Sequence, residues 1–308
     1  MTERIVITGG SGLIGRALVA ALARDGGEVA VVSRRPGRIR GLAAGVRAIG
    51  WEELPEAVEG AAALVNLAGE PIAGGRWSAA HRRRIAGSRL GATAACLAAL
   101  AAARRRPPVL LQASALGFYG DRGDEELTES SAPGSDFLAA NTAAWEAAAA
   151  GAPGLGVRSV VLRTGAVLDP RGGALGKLLP AARLGLGGPL GSGRQWVSWI
   201  HRDDQVAAMR FLLGRPDLSG PFLLASPAPV RNRELARTLG RILRRPAVLP
   251  VPAFVLRLLF GAMSELVLTG QRVRPERLLA AGFTFRFPDL AGALADLLGR
   301  PPRGGGAA

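Results

Sequence analysis

Gly9, Gly12 and Gly15 recur every third residue in "VITGGSGLIG". At that spacing a chain can turn tightly, approach a bound group closely and open a helix whose free amides attract a phosphate. The chemistry implied is capture of a dinucleotide pyrophosphate by Gly9, Gly10, Ser11, Gly12, Leu13, Ile14 and Gly15. A glycine pattern alone says little. This one follows an apolar run at residues 4–8, leads into "RALVAALARDG" with helical character, and precedes a second strand-like run, "EVAVVSR". The end of that run discriminates between dinucleotides. An acidic residue there would accept from the adenosine ribose. Ser33, Arg34 and Arg35 instead offer a hydroxyl donor and two cations suited to a 2′-phosphate. The expected cofactor is NADP rather than NAD. A third run ends in "NLAGEP", where Leu67, Ala68, Gly69 and Glu70 let the backbone pass close to that cofactor. Asn66 either joins it or satisfies strand-end amides. Glu70 faces either the nicotinamide or solvent.

Groups able to move a proton are scarce. Tyr119 is the only tyrosine, Lys177 the only lysine, Cys96 the only cysteine, and His81 and His201 the only histidines. One cysteine permits no internal disulfide, and the distant histidines lack ligand spacing, so no metal is expected. The candidates for proton transfer are Ser114, Tyr119 and His201. Each has a structural alternative: strand-end satisfaction for Ser114, packing beneath a loop for Tyr119, and helix capping for His201 ahead of Arg202, Asp203 and Asp204. Those two aspartates suit the capping of orphan amides. Asp121, Asp124, Glu125, Glu126 and Glu129 form an acidic loop, read as a mobile lid or a solvated one. Arg163 and Lys177 border a glycine-rich segment where they could meet an anionic substrate. Gln195, Trp196 and Trp199 alternate toward a pocket or core, and core packing is the default for Trp77 and Trp145.

The elements that must position these groups alternate. Strand patterns at 4–8, 28–34, 62–67, 107–114 and 156–163 are separated by helical patterns, including short 53–60, long 82–105 and 136–150. That succession predicts an α/β fold: a Rossmann-like doubly wound parallel sheet with a smaller, mixed, mainly helical C-terminal lobe. The expected organisation is a core at 1–165, a mixed segment at 166–248, a small C-terminal domain at 249–298, helical with one turn, and a disordered tail at 299–308.

The net charge is +15, with arginine almost wholly replacing lysine. The basic groups are scattered, without interleaved aromatics, so no specific nucleic-acid partner is expected. The start of the chain enters a strand pattern directly and has no signal-peptide character. "VLPVPAFVLRLLFGAM" is apolar but broken by Pro250, Pro252 and Arg257, too short to span a bilayer. It reads as a buried or partner-facing amphipathic helix. The expectation is a cytoplasmic monomer or homodimer acting on a small-molecule substrate, with no membrane span.

"TGGSGLIG", "LVNLAGEPI", "RW" at 76–77, "SALGFYGD", "WE" at 145–146, "LRTGAVLDPRGGALGKLLP", "GLGGPLGSGRQWVSWIHRDD" and "RVRPERLLAAGFTFRFPDL" together resemble the extended short-chain dehydrogenase/reductase superfamily. Within it they are most similar to the atypical "epimerase family" proteins labelled nucleoside-diphosphate-sugar epimerases, with their small C-terminal domain. The resemblance spans nearly the whole chain and implies an NADP-binding Rossmann domain with a substrate lobe. In that superfamily a Ser or Thr, a Tyr and a Lys cooperate, the last two four residues apart on a helix. Here the stretch "SDFLAANTAAWEAAAA" offers Phe137 and Asn141, or Leu138 and Thr142, and with one tyrosine and one lysine so far apart no register restores the pair. Anchoring on "YG" at 119–120 puts Ala115 at the usual serine position, one residue after Ser114. The expectation is an oxidoreductase or sugar-nucleotide epimerase with atypical proton chemistry; the alternative is a non-catalytic NADP(H)-binding regulator or redox sensor.

Overall fold

The computed structural model describes residues 4–40 and 42–299. In chain order, the first elements are β1 (Arg4–Thr8), α1 (Leu13–Arg24), β2 (Glu28–Val32), β3 (Val46–Ile49), α2 (Leu54–Val58) and β4 (Ala63–Asn66). There follow α3 (Ala79–Ala102), β5 (Val109–Ala115), β6 (Glu126–Leu127), α4 (Phe137–Ala149), β7 (Arg158–Thr164), β8 (Ala166–Leu168) and α5 (Gly173–Arg183). Next come β9 (Trp196–Val197), β10 (Trp199–His201), α6 (Arg202–Leu213), β11 (Gly220–Leu224), β12 (Val230–Arg231) and α7 (Asn232–Leu243). The chain ends with α8 (Ala253–Phe260), α9 (Glu265–Leu268), β13 (Arg272–Val273), α10 (Glu276–Ala280) and α11 (Leu290–Leu297).

Seven strands form one sheet in the order β11-β7-β5-β4-β1-β2-β3. Every pairing from β3 across to β7 is parallel. The central strands are Val-, Ile- and Leu-rich because helices must cover both faces of a parallel sheet. Val6, Ala30, Leu64 and Leu110 from four neighbouring strands pack with Leu54 and Val58 of α2 and Cys96 and Leu100 of α3. Each fully buried leucine contributes roughly 1.5–3 kcal/mol. By length and composition α3 could cross a membrane. Here it buries Ile85, Cys96 and Leu100 and packs between α2 and α4. The edge strand β3 was not anticipated from the sequence: "VRAI" is four residues long and only Ile49 is fully covered.

The chain divides into two compact units. The first comprises residues 1–118, 133–164 and 205–222; the second comprises 119–132, 165–204 and 223–308. The division therefore passes through the expected mixed segment and detaches 119–132 from the surrounding core sequence. In the second unit, Leu175 and Leu179 of α5, Leu235 and Leu239 of α7, and Leu290 and Leu294 of α11 bury Trp199. The C-terminal region is not wholly helical: β13 pairs in parallel with β6. The acidic loop is solvated, with Asp121, Asp124, Glu125 and Glu126 exposed, but it is also anchored. Asp124 accepts from Trp196 Nε1 at 2.8 Å and pairs with Arg231, and Glu126 pairs with Arg272. Glu129, 6% exposed, accepts from the Leu223 amide. Arginines remote in sequence bind these carboxylates, which a linear reading cannot see. Of the expected tail, residues 300–308 lie outside the described residues.

Candidate functional site

The turn after β1 is built by backbone contact. Gly9 has φ +70°, and a β-carbon there would lie 2.5 Å from the Leu67 carbonyl oxygen. One on Gly15 would overlap the Gly9 carbonyl. Gly12 N–H donates to Gly9 O at 3.0 Å, and Arg16 Nε donates to Ser11 O at 2.7 Å, fixing the loop. Gly12 caps α1 without a side chain. By contrast, Ser78 caps α3 and Asp136 caps α4 with side-chain oxygens. The first-turn amides of α1, at Leu13, Ile14 and Gly15, thus have no side-chain acceptor at their cap and suit an anion from outside the chain.

After β2, Ser33 Oγ accepts from the Arg35 amide at 3.1 Å. Its own hydroxyl hydrogen stays available to a ligand oxygen. Arg34 and Arg35 are exposed beside it. One donor and two cations form a fitting receptor for a 2′-phosphate.

The loop after β4 is anchored from within. Asn66 is fully buried: it accepts from Thr8 Oγ1 at 2.6 Å and donates to Gln112 Oε1 at 2.9 Å and Thr93 Oγ1 at 3.2 Å. Its carboxamide oxygen also receives the Ala68 amide. Trp145 Nε1 donates to Thr93. Of the two roles open to Asn66, the structure shows amide satisfaction. The Glu70 amide donates to Ser88 Oγ, and Arg89 Nη1 donates to the Glu70 carbonyl at 3.2 Å. Burial lowers the Arg89 guanidinium to about 10, opposed by the nearby Glu70 carboxylate. Sequence reasoning missed Thr8, Thr93, Gln112 and Arg89. A signal existed: Ile85, Arg89 and Thr93 recur every four residues on α3 and share its buried stripe.

On α4 the register is resolved. A β-carbon on Gly117 would lie 3.3 Å from Leu138 Cβ and 3.6 Å from Thr142 Oγ1. Leu138 and Thr142 therefore face the turn after β5. Phe137 instead packs edge-on against Trp77 at 5.5 Å, with Arg82 over its ring. One turn past Thr142, Glu146 lies against β5 and β7. Ser114 Oγ donates to Glu146 Oε1 at 2.5 Å, and Arg163 binds both carboxylate oxygens at 2.9 and 2.8 Å. Ser114 and Arg163 are register partners on neighbouring strands, which brings both under one helix residue. Phe118 covers the guanidinium at 3.6 Å. Arg163 is thereby bound to a carboxylate within the fold. Glu146 was visible in the sequence only as part of "WE".

The other two proton-transfer candidates are also bound. Tyr119 is fully buried and donates to the Thr128 carbonyl at 2.9 Å, securing the 119–132 segment within the second unit. His201 is fully buried, stacked on Phe287 at 3.9 Å, with Nδ1 accepting from the Asp203 amide at 3.0 Å. Its Nε2 is 3.3 Å from Asp296 Oδ2, close enough for charge pairing but too poorly directed for a hydrogen bond. Burial holds the imidazole below its ordinary value, against the raising influence of Asp203, Asp296 and Asp204. His201, Asp203 and Asp296 are close enough to suggest metal ligands. With Nδ1 accepting a backbone amide, however, neutral imidazole carries its hydrogen on Nε2 and has no lone pair for a metal. Asp204 does not cap its own helix; it accepts the Arg286 and Phe287 amides at 2.9 Å each. Lys177 is exposed.

A cavity of about 700 Å³ is lined by Glu146, Arg158, Ser159, Val161, Pro216 and Gly220 among others. It lies toward the starts of β7 and β11. Ligands of parallel α/β sheets bind beyond the strands' carboxyl ends, which is where the glycine turn lies.

A parallel sheet with a glycine turn after its first strand, an uncapped helix behind it and a Ser-Arg-Arg loop after its second strand define a Rossmann-type dinucleotide-binding protein. The chain belongs to the NAD dependent epimerase/dehydratase family, whose pattern matches residues 5–222. Residues 251–297 match a domain of unknown function, DUF1731. Epimerase family protein Mb2239 of Mycobacterium bovis is 40% identical, over 96% of this chain and 98% of that one. The crystal structure of human epimerase family protein SDR39U1 (isoform2) with NADPH has a TM-score of 0.89 at 36% identity, over 96% of this chain and 99% of that one. MoeE5, solved with UDP-glucose and NAD, has a TM-score of 0.79 over 96% of this chain and 98% of that one. At 22% identity it attests the fold alone.

Proposed function

We propose that this chain binds NADP(H) and is an oxidoreductase or epimerase acting on a small anionic substrate. The observation that carries the reading is the uncapped glycine turn paired with Ser33, whose oxygen is used by the Arg35 amide while its hydrogen is available. The NADPH-bound human relative supports the choice of cofactor. When bound, that cofactor supplies hydride exchange. The turn residues 9–15 would hold its pyrophosphate, Arg34 and Arg35 would meet its 2′-phosphate, and Leu67, Ala68, Gly69 and Glu70 would flank it. On this reading Leu138 and Thr142, which face the turn after β5, take the positions of the usual tyrosine and lysine, and protons come from another group. Ser114 is the nearest candidate: its proton can pass to Glu146 as it takes one from a substrate hydroxyl, with Arg163 holding the carboxylate in place. Tyr119 and His201 are weaker candidates because their polar atoms anchor backbone.

The test is absorbance of the reduced nicotinamide over a panel of carbonyl compounds and sugar nucleotides, with Ser114→Ala and Glu146→Gln variants alongside. Turnover that falls at least about tenfold in both, with NADPH affinity retained, supports the relay. Tight NADPH binding without hydride exchange across the panel favours the second reading, a non-catalytic NADP(H)-dependent regulator or redox sensor. That reading has its own observation: the Leu138–Thr142 stripe offers neither an ionisable acid nor a base.

A further inference from the structure

Scattered exposed leucines are ordinary on a protein surface; a concentration of them is not. Among the described residues, every large apolar side chain that is more than half exposed lies in two stretches, 184–186 and 248–259. Leu184 is 76% exposed, Val248 77%, Phe254 69% and Leu258 73%. Both stretches belong to the second unit, and backbone bonds join them. Val251 N–H donates to Pro189 O and Gly191 N–H to Val251 O, both at 2.8 Å, and Gly185 faces Pro246. On α8, Phe254 and Leu258 are one turn apart on the outward side, while Leu256 points into the core.

The charge along these stretches has one sign, although Asp121 and Glu265 line a cavity with Arg257 beyond them. Residues 170–202 and 235–264 contain no aspartate or glutamate, and each stretch carries five basic residues. Arg183, Arg244, Arg245 and Arg257 are exposed at the edges of the apolar area. They form no salt bridge among the described residues. Two copies meeting through a self-complementary contact here would set these arginines against each other. An anionic bilayer surface satisfies both properties: acyl chains take up the apolar side chains and headgroups meet the guanidinium groups.

We propose that the surface made by residues 184–190 and 245–259 seats the protein on anionic lipid membranes, lying in the headgroup layer without spanning it. The test is flotation of the full chain with phosphatidylcholine vesicles, with and without about one third phosphatidylglycerol. The expected result is recovery with the anionic vesicles only, weakened by salt. Phe254→Glu with Leu258→Glu should lower the bound fraction at least about tenfold, and Arg244→Glu with Arg245→Glu should abolish the preference for anionic lipid. NADPH affinity and the circular dichroism spectrum should be unchanged in both variants, which separates lost docking from lost folding. Unchanged flotation of the Phe254/Leu258 variant overturns the proposal, because overall charge would then explain binding. So does failure of the wild-type chain to float, or a dimer in light scattering that the Phe254/Leu258 variant dissociates.

Discussion

Ser33 shows how one residue can carry selectivity. Its oxygen accepts the Arg35 amide, which fixes the hydroxyl beside two exposed guanidinium groups and leaves its hydrogen free to donate. Arg34→Ala should therefore weaken NADPH roughly tenfold and leave NADH nearly unchanged, as read by calorimetric titration. Equal losses for both dinucleotides would assign Arg34 to the adenine instead. Cys96 bears on the sensor alternative. Burial pushes its thiol up to about 12, and its sulfur is enclosed beside Thr8. It should resist a disulfide reagent at neutral pH in the folded protein and react at once in denaturant. Rapid reaction of the folded chain would return Cys96 to consideration as a redox switch. Both residues are plain in the sequence. Their environments are not, because Thr8 and Cys96 are distant along the chain.

At the scale of elements, α4 is tied to β5 and β7 through Glu146. Replacing one partner leaves a charge with little solvent, at about 3–5 kcal/mol for a fully buried pair and less here, since the Glu146 side chain is 14% exposed. Arg163→Met should cost about 2–4 kcal/mol in urea unfolding, and Glu146→Leu with Arg163→Leu should recover much of it. Additive losses would mean the pair is not coupled. In the second unit, His201 ties β10 to the segment that carries Phe287 and to α11. Because its folded imidazole titrates below the ordinary value near 6.5, the unfolded chain binds the proton more readily. Its contribution to stability is complete above that value and is lost as the pH falls from there through the folded value. His201→Asn can still accept the Asp203 amide, so it should be less stable than wild type at pH 8 and lose less on acidification. A constant difference in melting temperature from pH 8 to 5 would refute the coupling.

At the scale of the whole molecule, ligand binding and folding are linked. NADPH at a hundred times its Kd should stabilise the unit it binds by about 2.7 kcal/mol, seen as a higher melting temperature, with NADH giving less at equal concentration. No shift with either would remove the dinucleotide cradle. The division into two units also limits what the sequence could give. It detaches 119–132 from its neighbours and returns 205–222 to the sheet, so each unit is assembled from separate stretches.

The glycine turn, the Ser-Arg-Arg loop and the alternation of strands and helices were legible because they are local: each depends on residues within a few positions, and backbone sterics and hydrophobic period dictate the outcome. The sequence alone also established that no tyrosine and lysine stand four residues apart, since the chain has one of each, at 119 and 177. Only the tertiary structure decided that Leu138 and Thr142 face the turn after β5, that Glu146 joins Ser114 to Arg163, and that the acidic loop is pinned by distant arginines. Those facts depend on contacts between residues tens of positions apart, where the partner of a buried polar group is selected by the packing of whole elements. No local preference of the chain encodes that choice.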